Sequence, residues 1–273
     1  MSTSGKHYHS PIGVFDSGVG GISVLKHLRD ALPNEDLLYC ADSRFAPYGN
    51  KSPQAICDRA IYLAEFLMSQ GAKALVIACN TATAAAVHML RQRYSLPIIG
   101  MEPAVKPAAA ATRSGVVGVL ATSGTLKSAQ FAALLESYGQ NIQVVTQACH
   151  GLVECIERGD LASEETRQLL AQYLAPLLDA GADTIVLGCT HYPFVRPLIE
   201  QLTAGQVSLI DTGAAVARQV QKRLDEAGLL AAPPRQGGVR FWSNSDAPHA
   251  SAVIARLWQG EQHSGEIEVL PLP

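Results

Sequence analysis

Two short segments of this chain repeat one pattern, an apolar run that ends in a small residue and a cysteine. They read KALVIACNT at residues 73–81 and DTIVLGCTH at residues 183–191. A continuous Val, Ile and Leu run predicts a strand that is buried on both faces of a parallel sheet. Because ligands bind at the carboxyl edge of such sheets, Cys79 and Cys189 are predicted where an α/β domain carries out its chemistry. Two thiols facing one pocket suggest an acid and a base.

Strands and helices alternate along the rest of the chain, as in parallel sheets that are covered by helices. The further predicted strands are residues 12–15, 36–40, 97–100, 116–120, 143–146, 207–210, 239–242 and 267–270. The predicted helices are residues 22–31, 52–69, 82–94, 127–138, 164–180, 194–201, 214–226 and 250–259. A turn is predicted at residues 121–125, and the alanine-rich residues 102–114 are interpreted as a junction.

The two cysteines lie 110 positions apart, which is about the length of one small α/β domain. We therefore expect an internal pseudo-repeat of two similar α/β domains with mainly parallel sheets. The first domain is predicted to comprise residues 1–101 and 210–273, and the second residues 102–209. Because domain interfaces favour small-molecule pockets, the active site is expected in the cleft between them.

Composition excludes several other classes of protein. A net charge of −3 gives no electrostatic case for nucleic acid as a partner. No apolar run has transmembrane length, and residues 1–10 lack the hydrophobic stretch of a signal peptide, so we expect a cytoplasmic protein with a frayed N-terminal tail. Six cysteines without a C-x-x-C pair or an H-x-x-x-H motif predict reduced thiols and no metal site.

Polar residues follow the predicted strand ends and should line the cleft. They are Asp16, Ser17, Asp42, Asn80, Thr81, Thr190 and His191. Helices begin just after several of these turns, so unpaired N–H groups and positive dipole ends should point into the cleft. That environment suits carboxylates and is expected to lower the pKa of a thiol there.

Four motifs in register resemble the glutamate racemases, which are cofactor-independent members of the aspartate/glutamate racemase superfamily. They are VFDSGVGG at residues 14–21, APYG at 46–49, ACNTA at 78–82 and LGCTHYP at 187–193. The resemblance extends from about residue 12 to residue 224. It implies two α/β domains around a central cleft and the interconversion of L- and D-glutamate for peptidoglycan, without a cofactor.

The resemblance also implies roles for individual residues. Cys79 would exchange the Cα proton of D-glutamate with help from Asp16, and Cys189 that of L-glutamate with help from His191. A carbanion without pyridoxal phosphate needs donors around the α-carboxylate, for which Asn80, Thr81 and Thr190 are candidates. The remaining candidates for substrate binding are Ser17, Tyr48, Gly49, Thr122, Thr125 and the side chains of Asp16 and His191.

Each role has a structural alternative. Asp16 can cap the helix after the glycine turn, and His191 can be a structural histidine at the domain junction. The other four cysteines, Cys40, Cys57, Cys149 and Cys155, are interpreted as small buried hydrophobes. The roles of Asp42, Glu154 and Glu157 stay open at this level, because either glutamate can equally be a solvated surface residue.

Alternative functions also remain. The Gly18-Val19-Gly20 turn with Asp42 imitates a dinucleotide fingerprint, but Ser23 stands at the third glycine position. A non-catalytic amino-acid clamp would need no thiols, and aspartate racemase is the nearest enzymatic competitor within the superfamily. The resemblance leaves open a homodimer and activation by a cell-wall precursor.

Overall fold

The computed structural model of the chain describes residues 9–259 and 268–272. Its strands are β1 (Ile12–Asp16), β2 (Leu37–Ala41), β3 (Ala74–Ile77), β4 (Ile98–Ile99), β5 (Val116–Ala121), β6 (Gln143–Ala148), β7 (Thr184–Gly188), β8 (Ser208–Ile210), β9 (Val239–Ser243) and β10 (Val269–Pro271). They form a six-stranded sheet in the order β10-β9-β2-β1-β3-β4 and a four-stranded sheet in the order β6-β5-β7-β8. The described pairings are parallel, so the predicted α/β class with two mainly parallel sheets is confirmed.

Helices connect the strands and cover the sheets. They are α1 (Ile22–Ala31), α2 (Pro53–Ser69), α3 (Asn80–Arg93), α4 (Val105–Ala111), α5 (Ser123–Leu126), α6 (Ala129–Tyr138), α7 (Leu152–Glu157), α8 (Glu164–Asp179), α9 (Arg196–Leu202), α10 (Gly213–Glu226) and α11 (Ala247–Gln259). Short 3-10 helices lie at Ser43–Phe45, Tyr48–Asn50 and Tyr192–Val195. Among the described helices, none is both long and apolar enough to cross a bilayer.

The central strands are buried along their whole length because both faces of each sheet are covered. In β1, Val14 packs into the cluster below α1 and α10, while Phe15 packs into the cluster below α2 and α3. A side chain of this size stabilises the fold by about 1.5–3 kcal/mol when fully buried. The alternation along the strand therefore fixes the register, and with it the position of Asp16 at the carboxyl edge.

The local structure differs from the sequence predictions at four places. The junction at residues 102–114 contains α4, because its alanines favour a helix and Pro107 lies in the tolerated first turn. The turn at residues 121–125 contains the start of α5. Helix α3 begins at Asn80, directly after the first cysteine, and not at residue 82.

The fourth difference is α7, which was not predicted. It has six residues and begins after Gly151, whose φ of 79° is left-handed. Residues 1–8 of the predicted N-terminal tail at residues 1–9, and the first residue of the last predicted strand, Ile267, lie outside the described residues. Residues 269–270 of that strand belong to β10.

The two sheets meet through loops and helices near their carboxyl edges. We call the part of the chain with the six-stranded sheet the first half and the part with the four-stranded sheet the second half. The 3-10 helix Tyr48–Asn50 of the first half packs on α5 of the second half. From the C-terminal helix α11, Arg256 Nη1 donates to the carbonyl of Gly159 at 2.6 Å. These contacts bring the carboxyl edges of β1 and β3 close to that of β7.

Candidate active site

Cys79 lies two residues beyond β3 and caps the first turn of α3. Its backbone is extended, with φ −148° and ψ 120°, and its sulfur accepts the N–H of Ala82 at 3.4 Å. The thiol donates to Ser17 Oγ, 3.7 Å away. The repeated strand pattern thus leads to a buried sulfur at a helix N-terminus, beside the turn that follows β1.

The environment of Cys79 contradicts the expected lowering of its pKa. Burial raises the pKa of this thiol well above its ordinary value, and the negative charge of Asp16 raises it further. The N–H of Ala82 acts in the opposite direction but does not compensate. In this state of the protein Cys79 is therefore a thiol at neutral pH, which suits a proton donor.

Asp16 ends β1 and is fully buried. Its Oδ1 accepts the N–H of Ser17 at 2.7 Å, and its Oδ2 accepts the N–H of Gly21, also at 2.7 Å. Burial raises the pKa of Asp16, the charge of His191 lowers it, and the net shift is upward. The carboxyl group therefore holds the glycine turn together, and its charge also acts on Cys79. The predicted cap is not formed, because no side chain among the described residues accepts from the first turn of α1.

Cys189 follows β7 and is paired with a histidine and a glutamate. Its Sγ lies 3.7 Å from His191 Nδ1, and His191 Nε2 lies 2.6 Å from Glu157 Oε1. Burial alone lowers the pKa of His191, but the hydrogen bonds with Cys189 and Glu157 reverse this and hold the pKa well above its ordinary value. The second sulfur thus has a protonated imidazole 3.7 Å away, and Glu157 holds that imidazole in place.

Comparisons with known proteins identify the family. The Asp/Glu/Hydantoin racemase profile matches residues 12–220. The chain belongs to this family. A glutamate racemase from Ectopseudomonas mendocina (strain ymp) is 61% identical over 254 residues, 93% of this chain and 96% of that protein.

Solved members of the family have the same fold. Glutamate racemase from Francisella tularensis in complex with D-glutamate matches with a TM-score of 0.82 and 31% identity, over 97% of this chain and 98% of that one. The Escherichia coli glutamate racemase in complex with L-glutamate and the activator UDP-MurNAc-ala matches with a TM-score of 0.82 and 30% identity, over 96% and 97%. Both matches cover the two sheets.

Glu157 belongs to this site, although the sequence left its role undecided. Its Oε1 also accepts the N–H of Val19 at 2.7 Å, and its Oε2 accepts the hydroxyl of Ser43 at 2.7 Å. Glu157 is therefore not a solvated surface residue. Its partner Ser43 is not among the site residues that the sequence predicted. Apolar residues at 152, 153 and 156 were a signal for the helix that carries Glu157, although too short a one to recognise.

The glycine turn after β1 packs closely against Glu157 and His191. A Cβ on Gly18 would overlap the carboxylate of Glu157, and a Cβ on Gly20 would overlap the ring of His191. The glycines that imitate a dinucleotide fingerprint instead let side chains of the second half approach the backbone of the first.

A set of hydroxyl groups joins the two halves on the other side of Cys79. Thr81 Oγ1 lies 2.8 Å from Thr122 Oγ1 and 3.2 Å from Thr125 Oγ1, and the latter two are 3.1 Å apart. Gly49 packs against Thr122, where a Cβ would come within 2.7 Å of the threonine Cβ. These four predicted residues are brought together by the structure.

Asn80, Thr190 and Tyr48 have different surroundings. Asn80 is 5% exposed, and neither polar atom of its side chain has a hydrogen-bond partner, which is unusual for a buried amide. Thr190 Oγ1 donates to Asp16 Oδ2 at 3.4 Å. The hydroxyl of Tyr48 donates to Asp42 at 2.5 Å, so its proton is already used.

The remaining candidates have structural contacts. Asp42 is fully buried and also accepts from Arg59 Nη2 and Asn244 Nδ2, both at 2.6 Å. Glu154 is half-buried and lines a small cavity with Cys149. The thiol of Cys57 donates to the carbonyl of Ala85 at 3.3 Å.

The raised pKa of His191 predicts how stability depends on pH. A raised folded-state pKa gives stability that is fully present below the unfolded pKa, about 6.5, and is lost as pH rises through the folded value. Glu157→Gln should therefore reduce the free energy of unfolding by about 1–3 kcal/mol at pH 6 and by less at pH 9.5. Urea unfolding measures both values.

The matched control is Glu165→Gln, because Glu165 pairs with Arg158 at 3.0 Å on the surface. Its small effect should not change between the two pH values. If the loss caused by Glu157→Gln were the same at pH 6 and pH 9.5, Glu157 would not be raising the pKa of His191.

Proposed function

We propose that this chain is a glutamate racemase that interconverts L- and D-glutamate by a two-base transfer of the Cα proton, for peptidoglycan synthesis. One observation carries the proposal. The carboxyl ends of two corresponding strands each hold a buried cysteine, and each cysteine has its own acid or base beside it, Asp16 near Cys79 and His191 beside Cys189. Matches to family members solved with either enantiomer of glutamate support the substrate.

Inversion at Cα needs a base on one face and an acid on the other, because a single base that returns its own proton restores the starting hand. In the direction from L- to D-glutamate, Cys189 removes the proton, with His191 Nδ1 3.7 Å from its sulfur. Cys79, which burial keeps protonated, donates to the opposite face. In the reverse direction the two thiols exchange these roles.

The carbanion formed between the two transfers has to be stabilised without an electron sink. Donors around the α-carboxylate become more effective as charge develops there, and burial strengthens them. Asn80 is suited to this role because its buried amide has no partner within the described protein. The N-terminus of α3 and the hydroxyl of Thr190 are the other proposed donors, with Ser17, Thr81, Thr122, Thr125 and Gly49 around the rest of the substrate.

The test of the proposed function is label uptake from solvent. With L-glutamate in D2O, the D-glutamate product should carry deuterium at Cα, because the donating thiol has exchanged with solvent. The fraction of D-glutamate that carries deuterium is measured by mass spectrometry after separation of the enantiomers. Unlabelled product, or a rate that depends on added pyridoxal phosphate or nicotinamide, would contradict the two-thiol mechanism. L-Aspartate is assayed in the same way, because aspartate racemase is the alternative activity.

The two faces should respond to different substitutions. Asp16→Asn should affect proton removal from D-glutamate more than from L-glutamate, and His191→Asn should do the opposite. Because the two enantiomers have equal free energies, kcat/KM must stay matched, so the asymmetry appears in kcat and KM separately or in isotope effects with Cα-deuterated substrates. Wild-type isotope effects in both variants would return Asp16 and His191 to purely structural roles.

Four further features are part of the proposal. The first domain comprises residues 1–101 and 210–273, and the second comprises residues 102–209. This division is supported by sheet membership, because the strands of the six-stranded sheet lie in the first range and those of the four-stranded sheet in the second, apart from Ile210 at the end of β8. A cytoplasmic location keeps both thiols reduced. The E. coli relative with UDP-MurNAc-ala supports regulation by a cell-wall precursor. A homodimer stays a prediction of the resemblance.

A further inference from the structure

A large cavity lies beside the hydroxyl groups that join the two halves. It has a volume of about 730 Å³ and is bordered by α2 and α3 of the first half and by α5 and α6 of the second. Gly49 and Thr81, both proposed to surround the substrate, form part of its wall. The cavity therefore reaches residues of the proposed active site, and no step of the mechanism uses it.

The charge of this cavity is one-sided. Lys51 and Lys127 line it, and its described lining residues include no Asp or Glu. Within the described part of the chain neither lysine forms an ion pair, although the ammonium group of Lys51 lies 5.8 Å from the centre of the Phe45 ring. The first turn of α6, which begins after the Ser128 cap, adds the positive end of a helix dipole.

A second, much smaller cavity adjoins the first on the side of Cys149. It has a volume of about 20 Å³ and shares Gly49, Asn50, Ser123 and His150 with the large one. Its wall includes Thr122, Cys149 and Glu154, so the excess of positive charge is confined to the large cavity. The two cavities thus adjoin each other beside the hydroxyl groups that join the two halves.

The shared wall comes from both halves of the protein. Gly49 and Asn50 belong to the 3-10 helix of the first half. In the second half, Ser123 begins α5 and His150 lies in the loop after β6, and Ser123 Oγ lies 3.2 Å from His150 Nε2. A small separation of the halves would widen this constriction, because it is held by packing of the two elements and not by a strand pairing.

We propose that the 730 Å³ cavity is a cationic vestibule that collects the glutamate anion through Lys51 and Lys127 and passes it towards the thiols. This inference rests on the proposed function, because it names the substrate of that site as the occupant. Glutamate has two carboxylates and one ammonium group, so a pocket with unbalanced positive charge raises its local concentration. The lysines do not contact the reacting atoms, so they act on capture and not on proton transfer.

The test compares kinetics at two ionic strengths. Lys51→Gln/Lys127→Gln should raise KM for L-glutamate by about three- to tenfold at about 0.02 M salt, with kcat within about twofold of wild type. The wild-type KM should itself rise with salt, and at about 0.3 M the two proteins should nearly coincide. Lys106→Gln is the matched control, because Lys106 is exposed and does not line the cavity.

Several outcomes would overturn the vestibule. These are an unchanged KM in the double variant, a loss of kcat at constant KM, and an equal rise of KM in Lys106→Gln. Inorganic pyrophosphate is the second probe, and it should inhibit competitively in wild type and less in the double variant. If pyrophosphate instead increased kcat, the cavity would be a separate effector site and the inference would be wrong.

The design separates this inference from the proposed function. If wild-type protein did not racemise glutamate at all, the proposed function would fail before any lysine variant is measured. If wild type is active and the double variant behaves like wild type at both ionic strengths, only the vestibule fails. Circular dichroism on each variant confirms that these surface substitutions leave the fold intact.

Discussion

Cys79→Ser and Cys189→Ser are each expected to lower kcat by at least about a hundredfold in both directions, because a positioned acid or base contributes about 10²–10⁴ in rate. A serine hydroxyl is too weak an acid to be ionised at neutral pH, so the face that it serves loses its base. In the opposite direction the same hydroxyl is a poor proton donor. The rates are measured by polarimetry, starting from each enantiomer.

Two other cysteines provide the controls. Cys57→Ser should keep its activity, because Cys57 is half-buried and its contact with the carbonyl of Ala85 is one that a hydroxyl can make. Cys40→Ser should also keep activity per folded molecule, although Cys40 is fully buried. Near-normal turnover by Cys79→Ser or Cys189→Ser would remove that residue from the mechanism.

Gly20→Ala is expected to have the second-largest effect. The added Cβ would overlap His191 Nδ1 and lie 2.5 Å from His191 Cε1. The imidazole is held on its other side by Glu157 at 2.6 Å, so it cannot move away freely. We expect kcat to fall by about 10- to 100-fold, since a displacement of about 1 Å in a catalytic group has that effect.

The same substitution should reduce the free energy of unfolding by about 1–3 kcal/mol, which is typical of overpacking. Gly238→Ala is the matched control, because the nearest atom to its added Cβ is Asp36 Oδ1 at 3.7 Å, an ordinary contact. Urea unfolding and kcat are measured for both. Wild-type kcat in Gly20→Ala would show that the position of His191 does not limit the reaction.

Much of the site follows from the strand pattern. Buried parallel runs end at the carboxyl edge of their sheet, so the sequence predicts that Asp16 and Cys79 lie together at one edge and that Cys189 lies at the corresponding edge of the second sheet, across the cleft. The polar residues next to each run, such as Asn80 and His191, came with them. This part depends only on local sequence and on the geometry common to parallel sheets.

The rest depends on contacts between distant segments. Glu157 reaches Val19 across 138 positions, and α7, which carries it, is too short to give a periodic pattern. The pKa of Cys79 was expected to fall because of the helix N-terminus, but complete burial and the charge of Asp16 outweigh that effect. The sequence predicts that Asp16 lies near Cys79, but the relative strength of burial, charge and the helix N-terminus depends on the packed structure.

The three threonine hydroxyls between the halves have one more consequence. Each can donate a single hydrogen bond, so Thr81, Thr122 and Thr125 form a ring in which the protons can circulate in either sense without moving an oxygen. A pocket that binds both enantiomers of one molecule has to bind the same carboxylate group in two orientations. A carboxylate can only accept, so it is bound when one hydroxyl leaves the ring and turns its single proton outward, and any of the three can do this without moving its oxygen, which gives one rigid wall three alternative donor positions.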